Sequence, residues 1–148
     1  MRKYCRRYSD MAYWLFKSEP SAWSWEDQLA SPNSTAEWDG VRNYQACNNM
    51  KAMKKGDNGF FYHSVNEKRI VGIVEVVKEY YPDPTDHSGR FGMVDVKAIQ
   101  PLKSYVSLAD IKSQEALKDI ALVKQSRLSV MPIDTKSWKF ICKMGGIK

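Results

Sequence analysis

Three short stretches of this chain concentrate side chains that do chemistry. Lys17-Ser18-Glu19 sets an amine, a hydroxyl and a carboxylate side by side. Residues 37–46, EWDGVRNYQA, gather Trp38, Val41, Arg42, Asn43 and Tyr44 around the tight-turn dipeptide Asp39-Gly40. Tyr62-His63-Ser64 ends an aromatic run, GFFYHS. Two chemistries suit such a set. A lysine beside a carboxylate can serve as a base or a nucleophile. Aromatic faces flanked by amides and hydroxyls stack on a planar heterocycle such as a nucleobase and hydrogen-bond its edge. Each stretch also has a plainer reading: a surface ion pair at Lys17 and Glu19, a core plug at Trp38, a hydrogen-bonded core histidine at His63.

Other chemistries lack their residues. His63 and His87 are the only histidines, and Cys5, Cys47 and Cys142 lie far apart, so no Cys/His spacing suggests a metal centre. No glycine spacing fits a dinucleotide or Walker phosphate loop, and no G-x-S-x-G elbow occurs. No metal, no cofactor and no catalytic set is therefore expected. An odd cysteine count argues against a disulfide framework and for a reducing compartment. No apolar run approaches the ~20 residues of a membrane span, and the N-terminal stretch lacks the apolar segment of a signal peptide. The expected location is the cytoplasm, with association to the nucleoid as an extension of it.

Elements that would position these residues follow from periodicity. MAYWLFKSEP reads as a strand stopped by Pro20, with Trp14, Phe16 and Ser18 on one face and Tyr13, Leu15 and Lys17 on the other. Lys17 to Glu19 then sit where a strand opens into a loop. Ser24 and Asp27 predict a capping box over a short helix, SPNST a loop, and Tyr44 to Lys54 a second helix. GFFYHS, RIVGIVEVVKEYYPD and FGMVDVKAIQPL read as three consecutive strands, and Gly72 predicts a bulge or a close approach. Ser107 and Asp110 cap a predicted helix, LADIKSQEALKDI. SRLSVMPI is a last strand, and Asp134 caps a closing helix striped by Trp138, Ile141 and Cys142. Short connections between the three strands imply antiparallel pairing rather than a doubly wound sheet. The expected architecture is α+β: a small, curved mixed or antiparallel barrel with helices on its rim.

The segments YWLFKSEP, WDGVRNYQA, GFFYHS, IVGIVEV and QSRLSVMPI, in this order, resemble the EVE domain family, a PUA-like fold. The resemblance runs from about Met11 to Met144. It implies a PUA-like β pseudobarrel of five to six strands. It also implies recognition of a modified base, notably modified cytosine in DNA rather than RNA, flipped out into a pocket. The related YTH domains, which read methylated adenine in RNA, have a similar Lys-Ser at their first strand and a cage tryptophan. Ser18 and Trp38 are the positions carried over most directly, and Glu19 stands where YTH domains have an amide. On this basis Lys17, Ser18, Glu19, Trp38, Val41, Arg42, Asn43, Tyr62, His63 and Ser64 are the expected base-binding set. Arg42 and Asn43 are expected as rim donors near a helix N-terminus, and Tyr44 to pack beneath. Lys51, Lys54, Lys55, Lys124 and Arg127 are candidate phosphate contacts.

At 148 residues one domain is expected, and a monomer. The net charge is +6, half of it in the first ten residues, where Arg2, Lys3, Arg6 and Arg7 face Asp10 alone. Residues 1–10 are thus expected to be a disordered basic extension of a domain spanning 11–148. The alternatives to base recognition are a PUA-like amidohydrolase working through Lys17 and Glu19 on a modified nucleoside, and an interaction protein with a vestigial pocket.

Overall fold

The computed structural model describes residues 11–147; the basic stretch 1–10 lies outside the described residues. In chain order the elements are β1 (Tyr13–Ser18), α1 (Trp25–Ala30), β2 (Thr35–Glu37), α2 (Tyr44–Ala52), β3 (Asn58–His63), β4 (Arg69–Pro82), β5 (Gly92–Ser107), α3 (Leu108–Lys112), α4 (Ala121–Lys124), β6 (Val130–Ile133) and α5 (Thr135–Met144). All six strands join one sheet in the order β2-β5-β4-β3-β1-β6. β1 and β3 run parallel; every other pairing is antiparallel. The sheet is therefore mixed, and among the described residues its ladder is not closed, because β2 and β6 remain edges.

The sheet nevertheless curls on itself. β2 and β1 are four strands apart, about 19 Å across a flat sheet at ~4.8 Å per strand. Yet Trp38, one residue beyond β2, meets Phe16 of β1 edge-on at 5.2 Å and Phe61 of β3 at 5.5 Å. Trp25 of α1 joins the same inner cluster, 5.3 Å from Phe61. The opposite face is covered by α5, whose Trp138 stacks on Tyr13 at 4.4 Å and on Phe60 at 4.0 Å. β1 alternates between these two aromatic layers, and five of its six residues are buried.

The capping boxes at Ser24/Asp27 and Ser107/Asp110 form as expected, and Asp134 caps α5 through the Ser137 amide. Gly72 sits at a slip in the β4–β5 register. A Cβ there would come within 2.5 Å of the Trp25 ring, so the close approach belongs to an indole laid flat on the strand.

Three expectations are corrected. β2 was not foreseen; its three residues are too few for any periodicity to show. The helix expected across residues 108–120 stops at Lys112, and a single 3-10 turn at Glu115–Leu117 and α4 follow. The last strand is confined to Val130–Ile133, with Gln125 to Ser129 forming a loop beside β1. Cys47 and Cys142 are both buried free thiols, and burial pushes the Cys142 thiol up to about 11. No helix among the described residues is long and apolar enough to cross a membrane.

Candidate functional site

A cavity of about 660 Å³ opens between the end of β1 and the segment that follows β2. Its volume lies within the ~300–1,000 Å³ typical of small-molecule pockets. One wall is Lys17, Ser18 and Glu19, continued by Ala22 and Trp23; the other runs from Ala36 to Arg42. Six of the expected residues therefore share one cavity: Lys17, Ser18, Glu19, Trp38, Val41 and Arg42.

The β1 wall is shaped by hydrogen bonds. The Ser18 hydroxyl donates to the Trp23 carbonyl at 2.5 Å, folding the chain back after the strand. Glu19 accepts from the Ser21 amide and hydroxyl. Trp23 is half-buried, and its Nε1 donates to Gln28 Oε1 at 2.9 Å. Gln28 is fully buried and donates in turn to the carbonyls of Ser34 and Val96. A buried amide thus holds an indole that still faces the cavity. Trp23 was absent from the expected set; its nearness to Ser18 depends on a turn that the sequence does not display.

The opposite wall is stapled from a distance. Gly40 adopts φ +79, the left-handed turn that Asp39-Gly40 predicts. Its amide donates to Asp83 Oδ2 at 2.9 Å, and Arg42 Nη1 reaches the same oxygen at 3.1 Å. Thr85 occupies Asp83 Oδ1 through its amide and hydroxyl, and Arg42 Nη2 donates to Thr85 Oγ1. Burial alone would raise the Asp83 carboxyl, but the bonds from Thr85, Gly40 and Arg42 outweigh it and bring it to about 2. Trp38 itself is 8% exposed: it plugs the core and also lines the cavity.

The remaining expected residues lie elsewhere. Asn43 is the N-cap of α2, its Oδ1 accepting from the Ala46 amide at 2.9 Å, and it turns away from this cavity. His63 is buried: Nε2 accepts from the Trp25 amide at 3.0 Å and Nδ1 meets Glu67 at 2.8 Å. With Nε2 accepting, the ring proton sits on Nδ1, and no donor is left for a ligand. Tyr62 is buried behind Lys17, whose Nζ lies 5.9 Å from its ring; burial raises its hydroxyl to about 12. Ser64 gives its amide to the Ser18 carbonyl. Tyr44, expected beneath the site, is 60% exposed and stands 5.0 Å from Phe91. It begins α2 on the helix's outer side, away from the cavity.

The lysines divide. Lys124 and Arg127 line a second cavity of about 360 Å³ with Asn43, Gln45 and the loop 125–128. Lys51, Lys54 and Lys55 lie at the far end of α2, where Lys51 Nζ is 5.5 Å from the Tyr80 ring. Lys17 Nζ donates to the Ser126 carbonyl at 2.9 Å, and burial lowers its pKa. Glu19 is engaged by Ser21, and no ion pair joins it to Lys17, so the pair shows no base–nucleophile contact.

The family model of the EVE domain matches residues 12–144. Thymocyte nuclear protein 1 of Gallus gallus is 38% identical over 89% of this chain and 68% of its own length. A solved protein of Rhodopseudomonas palustris is 54% identical, with a TM-score of 0.87 over 92% of this chain and 94% of that one. Human THYN1, solved in complex with 5-methylcytosine-containing DNA, is 34% identical, with a TM-score of 0.87 over 93% and 99%. A Zygosaccharomyces rouxii YTH domain, at 17% identity and a TM-score of 0.56 over 100% and 96%, shares the fold alone.

Proposed function

This chain belongs to the EVE domain family, and from that membership we propose that it binds nucleic acid by taking a modified base, a modified cytosine in DNA, into the cavity between Trp23 and Trp38. The observation that carries this reading is the cavity itself. Two indoles, a buried hydroxyl and several carboxylates converge on a space of ligand size, in a fold closely matched by a protein solved on 5-methylcytosine-containing DNA.

The residues suit a flipped pyrimidine. Extruding a base costs a few kcal/mol, and stacking on an aromatic returns about 1–3 kcal/mol. A cytosine edge presents an exocyclic amine, for which carboxylates are the matching acceptors. Glu19 and Glu37 both line the cavity. The Tyr81 hydroxyl donates to Asp95 at 2.5 Å and lies 3.4 Å from a Glu37 carboxylate oxygen. Ser18 fixes the turn that sets Trp23 in place. Binding without turnover is the reading we favour, because the Lys17 amine is bonded to the Ser126 carbonyl and makes no contact with the Glu19 carboxylate. Such a protein acts in the compartment that holds its nucleic acid.

The test is an affinity screen against DNA and RNA oligonucleotides carrying one cytosine, 5-methylcytosine, 5-hydroxymethylcytosine or N6-methyladenine. A preference of at least about fivefold for a modified cytosine in DNA is expected. Equal affinity for all of them would sink base recognition. Conversion of the corresponding free nucleosides, followed chromatographically, would replace the binding module with an enzyme.

A further inference from the structure

The base cavity is acidic at its rim. Glu19, Glu37 and Asp39 line it against Lys17 and Arg42, and the Arg42 charge is already answered by Asp83. Lys17 also directs its amino group away, into the Ser126 carbonyl on the neighbouring loop. Three carboxylates against two cations leave the rim net negative, which disfavours a phosphodiester there. The second cavity has the opposite character. Lys124 and Arg127 line it, with Gln45, Gln125 and Ser126 and no carboxylate. Among the described residues Arg127 makes no ion pair, and Lys124 has one exposed partner, Asp119, at 3.5 Å. The amides of Ser126 and Arg127 have no partner within the protein among the described residues.

The two cavities are neighbours across a narrow ridge. Arg42 lines the first and Asn43 the second; Ser129 lines the first and Leu128 the second. Consecutive residues are separated by about 3.8 Å between Cα atoms. Lys17 lines the first cavity while its amine bonds the loop of the second. One or two nucleotides, each rising about 3.4 Å along a stacked strand, bridge such a ridge. Lys54 and Lys55, by contrast, follow α2, a nine-residue helix that carries them about 14 Å from its start at 1.5 Å per residue.

We propose that the cavity lined by Lys124 and Arg127 seats a backbone phosphate of the strand whose base occupies the Trp23–Trp38 cavity. The ridge of Lys17, Arg42 and Ser129 then separates base from phosphate. The division of charge gives each cavity its own part of the nucleotide: donors of a base edge on the acidic side, the anion on the basic side. The proposal rests on the base-binding reading, and its test separates the two.

The experiment compares the full-length protein with a Lys124→Ala/Arg127→Ala variant, each checked for an unchanged melting temperature. The probes are 5-methyl-2′-deoxycytidine nucleoside, a single-stranded DNA oligonucleotide with one 5-methylcytosine, and its unmodified counterpart. Oligonucleotide affinity should fall roughly tenfold in the variant. The salt dependence should flatten by about 0.7 in the slope of log K against log salt, the value for one phosphate neutralised on a single strand. Nucleoside affinity should stay the same. A Lys54→Ala/Lys55→Ala variant removes equal charge and should lower affinity less than about twofold. An unchanged salt slope, an equal loss for nucleoside and oligonucleotide, or an equal loss in the Lys54/Lys55 variant would each overturn the proposal. If the wild type does not prefer the modified base, base recognition fails instead. The phosphate site is then decided on the unmodified strand, where the same slope change supports it and its absence overturns it.

Discussion

Trp38–Arg42 and Tyr62–Ser64 look alike as sequence, an aromatic followed by polar groups, and they have opposite fates. The first follows β2, a three-residue edge strand paired on one side only. The chain then leaves the sheet, and its turn and side chains line a cavity. The second ends β3, which pairs with β1 on one side and β4 on the other. Both faces of β3 are covered, so Tyr62 and His63 are buried, and both ring nitrogens of His63 are engaged, by the Trp25 amide and by Glu67. Position in the sheet, not local composition, decides which cluster keeps free hydrogen-bonding capacity. A polar group on a central strand is satisfied by the fold, because an unmet buried donor or acceptor costs about 1–3 kcal/mol. An edge segment faces no such demand.

The sharpest test of this contrast is Trp38. It plugs the inner cluster against Phe16 and Phe61, so Trp38→Ala should cost about 3–5 kcal/mol of stability, the range for large aromatic truncations. Trp38→Phe keeps an apolar ring and should cost far less stability. It should still lower affinity about fivefold, the low end of base–aromatic stacking at ~1.4 kcal/mol per decade. A denaturation curve beside a titration separates the two functions. Full affinity in Trp38→Phe would leave Trp38 as core alone and shift the stacking role to Trp23.

Asp83 tests how the edge segment is held. Asp83→Asn keeps the size but loses the charge that gathers Gly40, Arg42 and Thr85, and should cost about 2–3 kcal/mol, the upper range for charge-assisted bonds. Its pH dependence has a definite sign. The folded carboxyl sits at about 2, below its ordinary 3.8. Its contribution is therefore complete above about pH 4 and lost as pH falls toward 2. Urea melts should show a constant gap between wild type and variant from about pH 8 to about pH 4, closing below that. A gap that changes near neutrality would place the effect on another group.

Much of the frame was legible. The caps at Ser24, Ser107 and Asp134 are local, side chain to backbone over three residues, and local chemistry is written in order along the chain. The alternation of β1 and the Asp39-Gly40 turn are equally local. The EVE-like segments added the kind of fold and pointed to Ser18 and Trp38, which both line the cavity. What stayed hidden is long-range. Asp83 meets Gly40 across 43 residues, Gln28 meets the Val96 carbonyl across 68, and His63 meets the Trp25 amide across 38. No spacing in the sequence announces those partners. The histidine could therefore not be told from a ligand contact until its acceptor nitrogen was seen occupied.

His63→Leu addresses the central-strand side of the comparison. It leaves the Trp25 amide without its acceptor and Glu67 without the hydrogen bond from His63, the main reason that carboxyl is held low. Stability should fall by about 1–3 kcal/mol, while the folded fraction binds within about twofold of wild type. Chemical denaturation and a titration corrected for the folded fraction give both numbers. A variant as stable as wild type that no longer binds would place His63 in the site after all and erase the distinction between the two regions.

The smallest expected effect on the fold is the most informative about recognition. Glu19 lines the cavity, and among the described residues its carboxylate bonds Ser21 alone, two residues away. Glu19→Gln changes no long-range contact and should leave stability within about 0.5 kcal/mol, as for ordinary surface changes. It does change what the side chain offers a ligand. A carboxylate only accepts, and is suited to an exocyclic amine; an amide both donates and accepts. If Glu19 reads the base edge, the variant should lose preference for cytosine-type edges and gain relative affinity for bases presenting a carbonyl, with overall affinity changing less than the ratio between bases. Competition between 5-methylcytosine and thymine oligonucleotides measures that ratio directly. An unaltered ratio would assign edge reading to Glu37, the carboxylate on the stapled wall, and the same exchange at that position would then be the decisive measurement.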